Sequence, residues 1–329
     1  MNVYLTLDYE LYFGHPTGTV EKCLIEPTNE LIRISRNTGI NMTFFIDVGF
    51  IIQLEKHKTS FYELEKQYVL IVNQIKELIK NGHDCQLHIH PHWEDSSYDG
   101  KSWQIDISRY KLTDFSENEI STIFKSYTAY LEKLTGKNVN TYRAGGWCLQ
   151  PFDKIKKVFE QNGIKIDSTV YKGGYNTKGN YFYDFRQTPE KTRWRFTNDL
   201  TEEDPNGVFL EIPISTYKYN PMFFWRLFGW GRINPGNHKP IGNGKPVSGG
   251  GSKKDLLFSS NQLPVSLDGF FATKLGKALR KDQKAGKGND FVVIGHPKAC
   301  TYYSLKVLER FIKRYKKDHK FCTLSSQLE

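Results

Sequence analysis

The sequence lacks any apolar run long enough to cross a bilayer, which excludes a helical membrane-spanning protein. It also lacks paired cysteines. Cys23, Cys85, Cys148, Cys300 and Cys322 are scattered, odd in number and never in a C-x-x-C arrangement, which argues against zinc knuckles, redox pairs and a disulfide framework. Reduced thiols in a cytosolic protein are the simple reading. The start, Met1-Asn2-Val3-Tyr4-Leu5-Thr6-Leu7-Asp8, has no basic segment followed by an apolar one and therefore does not read as a secretion signal. The expected location is cytoplasmic, with the inner membrane face as a peripheral option.

Acidic charge is in the minority. Forty-six Lys and Arg face thirty-six Asp and Glu, a formal charge of +10 over 329 residues. The lysines are dispersed, and the densest run, Lys313-Arg314-Tyr315-Lys316-Lys317, reads as the solvated face of a last helix rather than a nucleic-acid reader. No nucleic-acid partner is expected. A basic balance suits a sugar phosphate, a nucleotide sugar or an acidic membrane surface.

What is present is an alternation of β-rich runs with amphipathic helical patterns. Strands are expected at 3–7, 42–47, 84–88, 140–143, 165–167, 208–212 and 291–295, and helices at 27–37, 64–81, 117–134, 151–162 and 302–317. Gly39 and Gly82 follow two of the helices, as C-terminal caps do. This rhythm predicts an α/β protein with a parallel sheet or barrel, as one domain over 1–329 with two insertions. The insertion at about 93–113 is polar and aromatic. That at about 217–263 opens on the aromatic stretch Phe223–Trp230 and continues into a Gly/Pro/Lys/Ser segment containing Gly249-Gly250-Gly251-Ser252, which reads as a mobile loop.

Four groups of chemically capable residues fall at the ends of predicted strands. Asp8 and Glu10 are two apart and can face one site, where carboxylates serve as metal ligands or general bases. Four of the nine histidines, His83, His88, His90 and His92, lie within ten positions. Imidazoles so crowded at a strand end point to a cation, and nitrogen ligands with a carboxylate favour zinc. Tyr142-Arg143-Ala144-Gly145-Gly146-Trp147 places an arginine fit for pairing with a carboxylate before glycines whose backbone can approach a ligand. Val292-Val293-Ile294-Gly295-His296 ends an apolar strand in an imidazole. In a barrel these ends share one face.

These motifs, in this order over nearly the whole chain, resemble the polysaccharide deacetylase superfamily, the NodB-homology fold of carbohydrate esterase family 4. Thr6-Leu7-Asp8-Tyr9 resembles its T-F-D-D motif, Gly82 to His92 its G-H-E…H-[ST]-x-x-H motif, Arg143 to Trp147 its R-x-P-x-G motif, and Val293 to His296 its final strand. The sequence departs from the pattern in carrying Tyr9 for the second Asp, with Glu10 next to it, an extra His90, and no proline in the third motif.

The resemblance implies a distorted (β/α)7 barrel and metal-dependent removal of an N-acetyl group from an amino sugar. It makes Asp8 the general base, Arg143 its support and His296 the catalytic acid, with Asp167 as a partner for His296. It makes Glu10 (or Asp8), His88 and His92 the ligands of a divalent ion, expected to be Zn²⁺, with His90 a competing ligand. Gly146, Trp147 and Trp93 are expected at the substrate and oxyanion position. A cytoplasmic location suggests a precursor of surface polysaccharide, such as lipopolysaccharide O-antigen, as a nucleotide sugar or a lipid-linked glycan. Phe223–Trp230 reads first as a segment buried against the barrel, with contact to a membrane or lipid-linked substrate as the other option. The alternatives are a barrel that binds glycans or biosynthetic partner enzymes without catalysis, and a barrel glycoside hydrolase, which would need a second carboxylate motif.

Overall fold

A computed structural model describes residues 1–247 and 253–328. Its centre is a curled sheet whose strands are β1 (Asn2–Tyr9), β2 (Thr43–Asp47), β3 (Asp84–Ile89), β4 (Thr141–Ala144), β5 (Ile166–Asp167), β6 (Trp194–Phe196), β7 (Phe209–Glu211), β8 (Asp290–Gly295) and β9 (Lys320–Phe321). They run in the order β6-β7-β5-β4-β3-β2-β1-β8, with β9 beside the start of β1. All pairings are parallel except β6 with β7. Leaving aside the edge strands β6 and β9, seven parallel strands remain.

The two sides of this sheet meet through irregular hydrogen bonds rather than a ladder. Ser215, just beyond β7, donates its N–H to Val292 O of β8 at 3.0 Å, and Val265 donates to Ser215 O at 2.7 Å. A short segment at 265–267 thus wedges into the seam, where Ile294 donates to Val265 O at 3.0 Å and accepts from Leu267 N–H at 2.9 Å. The result is the expected distorted (β/α)7 barrel.

Strands covered on both faces need to be apolar throughout. In β1, Val3, Tyr4, Leu5 and Leu7 are buried, and β8 contributes Phe291, Val292, Val293 and Ile294. The surrounding helices are α1 (Glu26–Thr38), α2 (Val48–His57), α3 (Tyr62–Lys80), α4 (Glu117–Thr135), α5 (Asp153–Gln161), α6 (Pro221–Ile233), α7 (Pro235–His238), α8 (Lys253–Phe258), α9 (Leu275–Ala285) and α10 (Tyr302–Tyr315). Each barrel-packed helix presents a stripe at helical spacing: Ile120, Ile123, Phe124, Tyr127 and Leu131 in α4. Ser116 caps α4 in a reciprocal box with Glu119, an interaction that contributes about 1 kcal/mol. Gly39 caps α1 in the left-handed conformation, at φ 68°.

The insertion after β7 divides into two parts. Its first part folds as a small helical cap: α6 buries Phe223 and Phe224 against Tyr219, Phe270 and Phe271. Its glycine-containing part was expected to be a mobile loop. Residues 248–252, with Gly249-Gly250-Gly251-Ser252, lie outside the described residues, but 241–245 is tied down. Ile241 and Gly242 donate to Cys300 O and Lys298 O, Lys245 donates to Pro16 O, and Gly14 donates to Lys245 O, at 2.8 to 3.0 Å. Backbone bonds on both sides make it a strap across the mouth of the barrel.

Candidate active site

The C-terminal ends of β1, β3, β4 and β8 open on a pocket of about 220 Å³. Asp8, Glu10, His88, His90, Gly146 and His296 all line it, with Tyr110, Trp147 and Tyr181 as aromatic walls and Pro246 and Val247 of the strap at its rim. The four polar clusters read from the sequence therefore meet in one place.

The period of a strand explains who faces whom. Asp8 and Glu10 are two apart, as are His88 and His90, so each pair projects to the same side. His88 Nδ1 lies 2.8 Å from Arg143 O. A carbonyl only accepts, so Nδ1 carries a proton and Nε2 is the nitrogen turned inward, where it can bind Glu10 when protonated or offer its lone pair to a metal when not. That Nε2 is 3.2 Å from Glu10 Oε2 and 3.1 Å from His90 Nε2, and His90 Nε2 also contacts Glu10 Oε2. Three ligands about 2.0–2.1 Å from a tetrahedral zinc would stand about 3.4 Å apart. The buried donor set Glu10, His88 and His90 has the chemistry to hold a divalent ion; His88 stands near that spacing from both partners, while His90 and Glu10 lie closer together than a shared ion would leave them.

His92, the ligand implied by the resemblance, falls outside this set. After β3 the chain turns at Pro91 into a short 3₁₀ turn (Pro91–Glu94), which breaks the strand alternation and leaves His92 beside the Glu10–His88–His90 donor set, its ring centroid 5.3 Å from that of His90. Its ring stacks on Tyr110 at 5.9 Å and meets Phe13 edge-on at 4.5 Å, and neither ring nitrogen has a hydrogen-bond partner among the described residues. Burial holds His92 well below the usual histidine range, and it pushes His90 down to about 4, so both rings are neutral. For His88, burial also favours the neutral ring, but the Glu10 hydrogen bond and the charges of Asp8, Glu10 and Asp47 win, and its pKa is raised.

Arg143 is fully buried and splits its donors between two tasks. Nη1 binds Asp8 Oδ1 at 2.7 Å and Thr6 Oγ1 at 2.9 Å, while Nε and Nη2 bind Ser168 O and Oγ at 2.8 and 3.1 Å. Its guanidinium also lies over the Phe45 ring. A buried charge needs this degree of pairing. Asp8 is thereby held at one oxygen, with its other oxygen 3.7 Å from His296 Nε2.

Two residues missed by sequence reasoning complete the site. Asp268 Oδ2 accepts from His296 Nδ1 at 2.8 Å, and its Oδ1 accepts the His296 backbone N–H at 2.8 Å. Burial disfavours the imidazolium, but the Asp268 carboxylate, aided by Asp8 and Glu10, raises its pKa to about 9. Lys298, also buried, donates to Glu10 Oε1 at 2.7 Å and to Leu11 O at 2.6 Å. Burial opposes ionisation of Glu10, but Lys298 and the two histidines hold its pKa well below the carboxylate range. The weak signals were an acid-glycine step, Leu267-Asp268-Gly269, after a β-rich run, and a lysine two residues after the strand-end histidine.

Two expectations are corrected. Asp167 does not partner His296. Its carboxylate turns within its own loop, accepting from Thr169 N and Oγ1 at 3.0 and 2.7 Å beside Glu211, and Asp268 takes the expected role. Trp93 does not face the pocket. The turn after β3 drives this indole into the core, where Nε1 donates to Asp47 at 2.7 Å and the ring packs on Phe50 and Trp103. Gly146 and Trp147 do lie at the pocket, both in the left-handed region at φ 59° and 61°. Gly145 has no room for a side chain, since a Cβ would stand 2.6 Å from Ile89 O and from the His90 ring.

No protein-family model and no curated protein sequence matches the chain. Solved structures do. The chain is similar to a "putative polysaccharide deacetylase from Mycobacterium smegmatis", with a TM-score of 0.55 and 14% identity, covering 99% of this chain and 87% of that one. It is also similar to Puue allantoinase, with a TM-score of 0.53 and 13% identity, covering 99% and 88%. At such identities the likeness is one of fold. By strand order, barrel seam and these neighbours, the chain has the fold of the polysaccharide deacetylases.

Proposed function

We propose that the protein is a metal-dependent hydrolase that removes the N-acetyl group of an amino sugar in a surface-polysaccharide precursor, a nucleotide sugar or a lipid-linked glycan. One observation carries this reading: a base and an acid, each with its own buried partner, flank a Glu-His-His donor set in a single pocket. The nature of the mycobacterial neighbour agrees with it.

Glu10, His88 and His90 would hold the ion, zinc by ligand type, and when bound it would polarise the acetamide carbonyl and acidify water. Asp8 accepts the proton of the attacking water, and Arg143 keeps that carboxylate aimed. A backbone N–H near Gly146 and Trp147 meets the developing oxyanion. His296, held as an imidazolium by Asp268, donates its Nε2 proton to the departing amine. Trp147, Tyr110 and Tyr181 give the sugar ring aromatic faces to pack on.

The amine of Lys298 on Glu10 favours a second reading, in which a fixed cation replaces part of the metal's role and the barrel binds glycans without turning them over. Acetate release from a panel of N-acetylated nucleotide sugars and lipid-linked glycans, with zinc supplied, separates the two. The hydrolase reading expects release by wild type and none by Asp8→Asn, while that variant still binds zinc. Full activity of Asp8→Asn, or no release from any of the panel, contradicts it.

A further inference from the structure

Helix α6 is apolar on both sides. Phe223 and Phe224 face inward, as described. The opposite stripe runs through Met222, Trp225, Arg226, Gly229, Trp230 and Ile233, spaced three and four apart, so it forms one continuous outward face. Met222 is 59% exposed, Trp225 56%, Trp230 44% and Ile233 76%. Phe258, at the end of the adjoining α8, is 75% exposed, and Trp225 Nε1 reaches Leu257 O of the same helix at 3.2 Å. A water-facing helix normally places polar residues on its outer stripe. This face therefore needs a non-aqueous partner.

Its flank is cationic. Between α6–α7 and α10 runs an open groove of about 980 Å³, lined by Arg226, Trp230, His238, Tyr303, Arg310 and Lys313. Its one acid, Glu309, is already engaged, with Lys313 at 2.7 Å and Arg33 at 3.5 Å. Arg232 adds a further exposed cation at the end of α6. Tryptophans beside arginines, over an aliphatic stripe, match the headgroup boundary of a bilayer, where indoles sit at the interface and cations meet lipid phosphates. A second protein copy would have to oppose this basic flank to itself.

We infer that the outer face of α6, with Phe258 and the basic groove, docks the protein on an anionic phospholipid surface. The length of α6 fits a helix lying in the interface, and no helix among the described residues is long and apolar enough to cross a membrane. The same insertion continues into the strap whose Pro246 and Val247 rim the pocket, so docking would bring the barrel mouth toward the lipid surface.

Vesicle co-sedimentation tests this without any enzymatic readout. The full-length protein is spun with vesicles of phosphatidylcholine alone and of phosphatidylcholine with phosphatidylglycerol in equal parts. Wild type is expected to pellet with the mixed vesicles and to be released by salt. Trp225→Ser/Trp230→Ser, which removes two half-exposed indoles from this face, is expected to bind roughly tenfold more weakly or worse, while circular dichroism shows the fold retained. Arg226→Glu/Arg310→Glu is expected to lose the preference for phosphatidylglycerol. Wild type remaining in the supernatant, or the tryptophan variant pelleting as well as wild type, would overturn the inference. So would a stable dimer, seen by sedimentation velocity, that the tryptophan substitutions dissolve.

Discussion

Lys298 Nζ binds Glu10 Oε1 at 2.7 Å in the buried floor of the pocket, while the other oxygen of Glu10 faces His88 and His90. Glu10 is thus divided between a fixed cation and a position where a metal ion fits. The lysine holds the carboxylate ionised, limits it to one oxygen for a metal, and places its own positive charge beside any ion bound there.

Replacing Lys298 by Met should therefore have opposite effects on the metal-free and metal-loaded protein. Without metal, breaking a buried pair is expected to cost about 3 kcal/mol, read as a lower denaturation midpoint. With zinc, the free oxygen and the loss of like-charge repulsion should make stabilisation by the ion larger than in wild type. Equal zinc-induced shifts in the two proteins would show that Lys298 does not act on the metal position.

Asp268 acts through His296 and has the role of a positioning residue. Asp268→Asn should lower kcat by about ten- to a hundredfold with little change in KM, because the ring loses both its orientation and its charge partner. In the proposed reaction His296 is the acid, so activity is expected to fall as pH rises through its pKa. That alkaline limb, near 9 in wild type, should move to lower pH in the variant. A lower kcat with an unmoved limb would assign Asp268 a purely structural role.

His83 gives a pH effect of another kind, remote from the chemistry at the opposite end of β3. Its Nδ1 accepts the Met42 N–H at 3.1 Å, Nε2 has no partner among the described residues, and burial lowers its pKa from 6.5 to about 4. The unfolded state then binds a proton that the folded state refuses between these values. The stability this site contributes is complete above pH 6.5 and is lost as pH falls toward 4, by up to about 3 kcal/mol. Chemical denaturation of wild type and His83→Gln across this range should show a shallower acid loss in the variant; parallel curves would contradict the assignment.

All seven predicted strands are present, because strands buried on both faces need apolar runs that stand out in a sequence. Helix α2 was less legible: it follows β2 directly, and no side chain caps its start. At the site, Asp8, Arg143 and His296 converge because strand ends of a parallel barrel share a face. Motif spacing points to His92 and strand alternation to His90, and Pro91 ends the strand between them. Asp268 and Lys298 carry no periodicity of their own. Their importance arises from long-range contacts, 28 residues from Asp268 to His296 and 288 from Glu10 to Lys298. The aromatic stretch also divided, since the helix turns Phe223 and Phe224 inward and Trp225 and Trp230 outward.

The most direct test of the account is zinc uptake by the purified protein, compared with His88→Ala/His90→Ala and with His92→Ala. The account predicts near-stoichiometric zinc in wild type and in His92→Ala, and its loss in the His88/His90 variant. Zinc retained by the His88/His90 variant, or absent from wild type, would contradict a metal centre at Glu10, His88 and His90.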